Sequence, residues 1–145
     1  MNATLLLKVS SVLWVIWGLV HLLAGVITMS MDTVSAILGI ADGISPEVLA
    51  DSYAGAVGAI INQHGWNLAW IGIATTVGAV YVWKQSVLAI FITAIVGGLA
   101  DIGYFIFLDL GGYVNFVPGT VMTIISSGAI ILSFAGLFLL DKRKA

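Results

Sequence analysis

The stretch VLAIFITAIVGGLADIGYFIFL, residues 87–108, decides the fold, because it carries only one charged side chain, Asp101. A helix of this length measures about 30 Å, which matches the hydrocarbon core of a bilayer. Three further apolar runs of similar length lie on either side of it, at residues 4–29, 65–83 and 119–140. The sequence therefore predicts an all-α integral membrane protein with four transmembrane helices, forming a single transmembrane domain over residues 1–145.

The connections that flank the central run are short, at residues 84–86 and 109–118. Short connections make consecutive helices antiparallel neighbours, so the sequence predicts an up-down four-helix bundle. The only long connection, residues 31–63, lies between the first and second helices. Within it, Ser45 and Pro46 form a helix start signal, which predicts a short helical outer segment. A helix from Pro46 to Trp83 would be too long for the membrane, so we expect a break at residues 62–65.

The charges predict the orientation of the bundle. Every Lys and Arg falls on one side of it, at Lys8, Lys84, Lys142, Arg143 and Lys144. The outer connections carry only acidic charges, at Asp32, Asp42, Glu47, Asp51 and Asp109. Cations gather on the cytoplasmic side of membrane proteins with short loops, so both termini are predicted to be cytoplasmic. This pattern, with an uncleaved first helix, favours a bacterial inner membrane.

Composition excludes several functional classes. The chain is 61% hydrophobic and 8% charged, which leaves no room for a separate soluble domain. It has no basic patch that could follow phosphates, so a nucleic-acid partner is excluded. It has no cysteine, which excludes disulfides, thiolate metal sites and iron–sulfur clusters. Many of its 17 glycines lie inside the spans, which predicts close helix packing and a homo-oligomer in the lipid bilayer.

Asp101 is the leading candidate for a functional residue. A carboxylate inside a span costs about 2.5–3.5 kcal/mol on insertion scales and usually faces a partner or a water-filled cavity. Asp101 lies about 10 Å below the outer end of its helix, and His21 lies about 12 Å below the same face. We therefore predict a polar pocket in the outer half of the bundle. Its lining is expected to be His21, Asn67, Asp101, Tyr104 and Thr120, with His64 at its mouth.

Four interpretations of this pocket remain open. In the first, the polar residues serve only packing, in a structural or accessory subunit. In the second, Asp101 and His21 handle protons, ions or a small ligand, as in a transport pathway. A third possibility is a metal or b-type haem site, with His21 and His64 as ligands. An enzyme that acts on a lipid or quinone is the fourth, although no nucleophile is evident.

The overall plan, with four helices, both ends inside and a longer first outer loop, is similar to the small bacterial inner-membrane proteins grouped as DoxX-like. The resemblance covers the architecture only. It implies a four-helix inner-membrane fold and carries no site residue onto this chain.

Overall fold

The computed structural model describes residues 2–141, which form helices and no β-strand. The five α-helices are α1 (Ala3–Ser30), α2 (Thr33–Ile40), α3 (Gly55–Trp83), α4 (Val87–Tyr104) and α5 (Val121–Asp141). A π-helical turn, Phe105–Asp109, extends α4, and a second one, Phe116–Thr120, leads into α5. The basic residues at positions 142–144, which are predicted to be cytoplasmic, lie outside the described residues.

Four helical stretches are long and apolar enough to cross a membrane, which confirms the predicted spans. They are Ala3–Ser30, Gly55–Trp83, Val87–Asp109 and Phe116–Asp141. Large apolar side chains on their outer surfaces, such as Leu88 and Leu99, are exposed, as expected where a helix faces lipid rather than water. The chain is therefore a multi-pass membrane protein that is compatible with lipid contact along all four helices.

The structure corrects the predicted start of the second span. Helix α3 begins at Gly55 rather than at Gly65, and it continues through residues 62–65 without the expected break. Gly65 lies inside α3, where it allows close packing on α1 instead of ending a helix. A Cβ atom at Gly65 would lie 3.0 Å from the carbonyl oxygen of Gly25. With 29 residues, α3 is about 44 Å long, so its first turns extend beyond a hydrocarbon core of about 30 Å.

The predicted outer helix also differs. Pro46–Val48 forms only a single 3-10 turn, and the Ser45 hydroxyl donates to the Glu47 carboxylate instead of capping the backbone. The main helix of this segment is α2, which starts earlier. Its cap is Asp32, whose carboxylate accepts hydrogen bonds from the backbone N–H groups of Val34 and Ser35.

Glycines set the closest helix contact, which joins α1 to α3. A Cβ atom at Gly18 would lie 2.7 Å from the Gly72 carbonyl oxygen, and one at Gly25 would lie 2.5 Å from the Ala69 nitrogen. The predicted close packing therefore occurs inside one chain. Helix α1 also packs on α5, and α4 packs on both α3 and α5. The homo-oligomer stays a prediction, because the structure of a single chain does not test it.

Two tryptophans of α1 fill the centre of the helix packing. Trp14 and Trp17 are fully buried, and their rings meet edge to face with centroids 5.8 Å apart. Gly97 on α4 makes room for them, because a Cβ atom there would lie 2.8 Å from the Trp14 ring. The side chains of α1 can therefore reach across to α4.

Candidate functional site around Asp101

Asp101 is the charged group at the centre of the site. It lies on α4 and is only 4% exposed. The indole N–H of Trp17 donates to Asp101 Oδ1 over 3.1 Å, and the Ser126 hydroxyl donates to Oδ2 over 2.7 Å. Since Trp17 is on α1 and Ser126 is on α5, the carboxylate joins three helices.

No lysine or arginine in residues 2–141 compensates this carboxylate. Within that range the basic residues are Lys8 and Lys84, and both lie near the far end of the helices. The Lys8 ammonium lies 5.0 Å from the Trp83 ring centroid, and that of Lys84 lies 5.4 Å from the Tyr81 ring centroid. From Lys84 to Asp101 the chain rises about 25 Å as helix, which is too far for an ion pair.

A cavity of about 330 Å³ lies beside Asp101, between α4 and α5. Its polar lining consists of Asp101, Thr123, Ser126 and Ser127, and its apolar lining consists of Gly98, Ile102, Phe105 and Ile130. The Thr123 hydroxyl is buried and has no hydrogen-bond partner among the residues that the structure describes. A buried hydroxyl of this kind is costly unless something bonds to it. The cavity thus holds a charged acceptor and an unused hydroxyl.

The cavity opens toward the surface that faces lipid. Ile102 is 54% exposed and Phe105 is 38% exposed, and both belong to the cavity wall and to the outer surface of α4. Ser127 on α5 is also exposed. A molecule in the bilayer can therefore approach Asp101 from the side, between the two helices.

His21 lies next to this site but does not bond to Asp101. Its Nδ1 makes a hydrogen bond of 2.8 Å with the carbonyl oxygen of Trp17, and its ring stacks on the Trp17 ring with centroids 3.6 Å apart. Trp17 therefore connects the two residues, because its indole N–H contacts Asp101 while its ring and carbonyl contact His21.

The other predicted pocket residues lie apart from the cavity. The Asn67 side-chain oxygen accepts a hydrogen bond of 3.1 Å from Trp70 on the same helix. Thr120 donates to Asp109 over 2.8 Å, at the end of the π-helical turn that extends α4. Tyr104 packs there too, since a Cβ atom at Gly119 would lie 2.7 Å from its hydroxyl. The structure thus brings His21 near Asp101 and places Asn67, Tyr104 and Thr120 elsewhere.

Sequence reasoning missed two partners of Asp101, namely Trp17 and Ser126. Trp17 precedes His21 by one helical turn and shares its stripe, but a tryptophan at this depth is normally read as packing. Thr123 and Ser127 share a stripe of α5, and Ser126 lies beside it. This cluster of three hydroxyl side chains on one face of α5 is the sequence signal that indicates a partner for Asp101.

The possible metal or haem site rests on two histidines alone. In residues 2–141, no group of three or more His, Asp or Glu side chains is arranged to hold a metal ion. His21 already uses Nδ1 for the Trp17 carbonyl, which leaves Nε2 as its free nitrogen. Ligation by His21 and His64 therefore stays a prediction.

Hydrogen bonds join the connection after α2 to the connection between α4 and α5. The Gly43 N–H donates to the Tyr113 carbonyl over 2.9 Å, and the Asn115 N–H donates to the Asp42 carboxylate over 2.8 Å. The connection after α2 therefore lies against the connection between α4 and α5.

No protein-family model, curated protein or solved structure matches this chain.

Proposed function

We propose that this protein is a small bacterial inner-membrane protein that binds a proton, an ion or a small ligand at Asp101. The observation that carries the proposal is a carboxylate inside a span, with no Lys or Arg beside it among residues 2–141, that borders a cavity. Burial without a cation leaves its charge uncompensated, and a bound proton or cation relieves that cost.

The proposed orientation puts both termini in the cytoplasm, in an up-down bundle. It is supported by the position of Lys8 and Lys84, which contact Trp83 and Tyr81 at one end of the helices. Acidic side chains occupy the connections at the other end. The positive-inside rule then makes the Lys8 end cytoplasmic and places Asp101 in the outer half of the membrane.

Binding explains the surroundings of Asp101 better than packing alone. Each carboxylate oxygen has two acceptor sites, and Trp17 and Ser126 each use one of them. Acceptor capacity therefore remains on both oxygens. A volume of about 330 Å³ is at the lower end of the range of about 300–1,000 Å³ that is typical of small-molecule pockets. The site thus suits a proton with a few waters, or one small ligand.

A structural or accessory role is the second candidate, and one observation favours it. Because Trp17 and Ser126 bond to different oxygens of Asp101, the carboxylate fixes α1 and α5 against α4. A side chain that serves only this purpose need not change its charge.

The substitution Asp101→Asn separates the two roles, because asparagine can accept from Trp17 and donate to Ser126 but cannot titrate. The measurement is the infrared carbonyl band of protonated aspartic acid, followed over a pH series in protein labelled with ¹³C-aspartate. We expect a band that appears as the pH falls and is missing in Asp101→Asn. The control Asp51→Asn removes an exposed acid of the outer segment and should leave this band in place.

His21 stacks on Trp17, which is a hydrogen-bond partner of Asp101, so the charge of His21 must be considered in reading this titration. Repeating it in His21→Gln separates the charge of His21 from that of Asp101. If no band depends on Asp101 at any pH at which the protein stays folded, proton binding at Asp101 is refuted.

A further inference from the structure

We propose that the ligand of the cavity between α4 and α5 is a protonated amine with a small apolar body, which enters sideways from the outer half of the bilayer. This inference rests on the proposed function, because the same Asp101 carboxylate receives the ligand. It adds the chemical class of the ligand and its route.

The charge of the site selects a cation. Among residues 2–141, the one charged group that lines the cavity is the Asp101 carboxylate, so an anionic ligand would meet a like charge in a medium of low dielectric constant. A protonated amine instead supplies the missing positive charge. It also brings N–H groups, and a hydrogen bond between an ammonium and a carboxylate is about twice as strong as one between neutral groups.

The polar lining suits an N–H donor more than a bare ion. Both Asp101 oxygens keep one free acceptor site, and the Thr123 hydroxyl, which lines the same cavity, is buried with no hydrogen-bond partner among residues 2–141. An ammonium group can donate to Asp101 and to Thr123 together, which would satisfy this hydroxyl. A metal ion would need several oxygen ligands, and no group of three or more acids and histidines in residues 2–141 is arranged to provide them.

The remaining walls suit an apolar body. Ile102, Phe105 and Ile130 form the side of the cavity away from the carboxylate, and the first two are exposed toward lipid. Because this wall of the cavity is exposed toward lipid, an amine that partitions into the membrane would reach Asp101 from the bilayer.

Binding of benzylamine to the protein in phosphatidylcholine nanodiscs tests this inference. Radiolabelled benzylamine, which is protonated at neutral pH, is measured by equilibrium dialysis against empty nanodiscs, with benzyl alcohol as the neutral probe of matched shape. We expect saturable binding of benzylamine that is at least about tenfold tighter than that of benzyl alcohol, and a loss of about tenfold or more in Asp101→Asn. Equal binding of the two probes would overturn the proposal.

A second pair of variants tests the route without changing Asp101 or its partners. Ser127→Phe places a ring in the opening of the cavity, whereas Ile124→Phe places the same ring on an exposed position of α5 outside the cavity lining. We expect Ser127→Phe to weaken benzylamine binding about tenfold or more and Ile124→Phe to leave it unchanged. Unchanged binding in Ser127→Phe would refute the lateral site.

The failures of the two proposals are distinguishable. If benzylamine does not bind but the infrared band of Asp101 still titrates, the amine inference is refuted and the proton-binding function survives. If neither is observed, both are refuted.

Discussion

Replacing Gly72 by alanine should destabilise the protein strongly, because Gly72 lies where the backbones of α1 and α3 meet. An alanine Cβ at this position would lie 2.5 Å from the Leu22 nitrogen and 3.0 Å from the Leu22 Cα. Non-bonded heavy atoms prefer separations of about 3.5–4.0 Å, so α1 and α3 would have to separate by about 1 Å. The obstacle is backbone, which cannot rotate away as the end of a flexible side chain can.

The size of the effect follows from two opposing terms. Overpacking of this kind costs about 1–3 kcal/mol. Alanine is otherwise preferred to glycine inside a helix by about 0.5–1 kcal/mol. The matched control is Gly103→Ala on α4, because a Cβ atom at Gly103 has nothing within 4 Å. This control gains the same helix preference without the clash, so it should be slightly stabilising, and the two variants should differ by the overpacking cost of about 1–3 kcal/mol in free energy of unfolding.

The assay is reversible unfolding by sodium dodecyl sulfate in mixed micelles, followed by circular dichroism, with chemical cross-linking of the same samples in lipid. The refuting result is a Gly72→Ala variant as stable as Gly103→Ala. If such a variant also lost a cross-linked dimer, Gly72 would face a second copy of the chain, and the contact between α1 and α3 described above would be wrong.

Two further predictions concern the ends of helices. Gln85 has a φ of 62°, a left-handed conformation that costs residues with a side chain about 1 kcal/mol, and its amide bonds to Thr4. Gln85→Gly should therefore be about 1 kcal/mol more stable than Gln85→Ala in the same unfolding assay, since both lose that bond; equal stabilities would contradict the strained turn. The hydrogen bond from the Ser35 hydroxyl has the largest effect on the pKa of Asp32 and lowers it below its ordinary value of 3.8. Hydrogen bonds from backbone N–H groups lower it further. Because the pKa is lowered, the Asp32 carboxylate is fully ionised and caps α2 at a pH above 3.8. The cap is lost as the pH falls through the lowered pKa. Hydrogen exchange at Val34 and Ser35, corrected for its intrinsic pH dependence, should accelerate there in the parent and show no such step in Asp32→Ala.

Much of the fold is predictable because a bilayer imposes a length on apolar runs. The span at residues 87–108 appears in the structure as Val87–Asp109, since Ser86 and Asp109 mark its ends with polar side chains. The start of α3 is not predictable in this way. Residues 55–61 are themselves apolar, and a glycine that ends a helix and one that packs on a neighbour look the same in a sequence. Only the contact with Gly25 shows which kind Gly65 is.

The choice of Asp101 is predictable for a similar reason, because a lone carboxylate in a span demands a partner. The identity of that partner is not. Depth along the helix can be counted from the sequence, and it places His21 at the level of Asp101, but it does not tell which way each side chain points around its helix. In the structure the long indole of Trp17 crosses to α4 and takes the bond, while His21 stacks behind it.

This arrangement changes what the polar residues can do together. His21 and Asp101 are not joined by a hydrogen bond through which a proton could pass. Each of them bonds to Trp17 instead, and the indole N–H of Trp17 only donates. In the proposed function, a change of charge at Asp101 would alter its hydrogen bond to Trp17, whose ring stacks on His21. A cation bound at Asp101 would then act on α1 through Trp17, because this side chain contacts both Asp101 and His21.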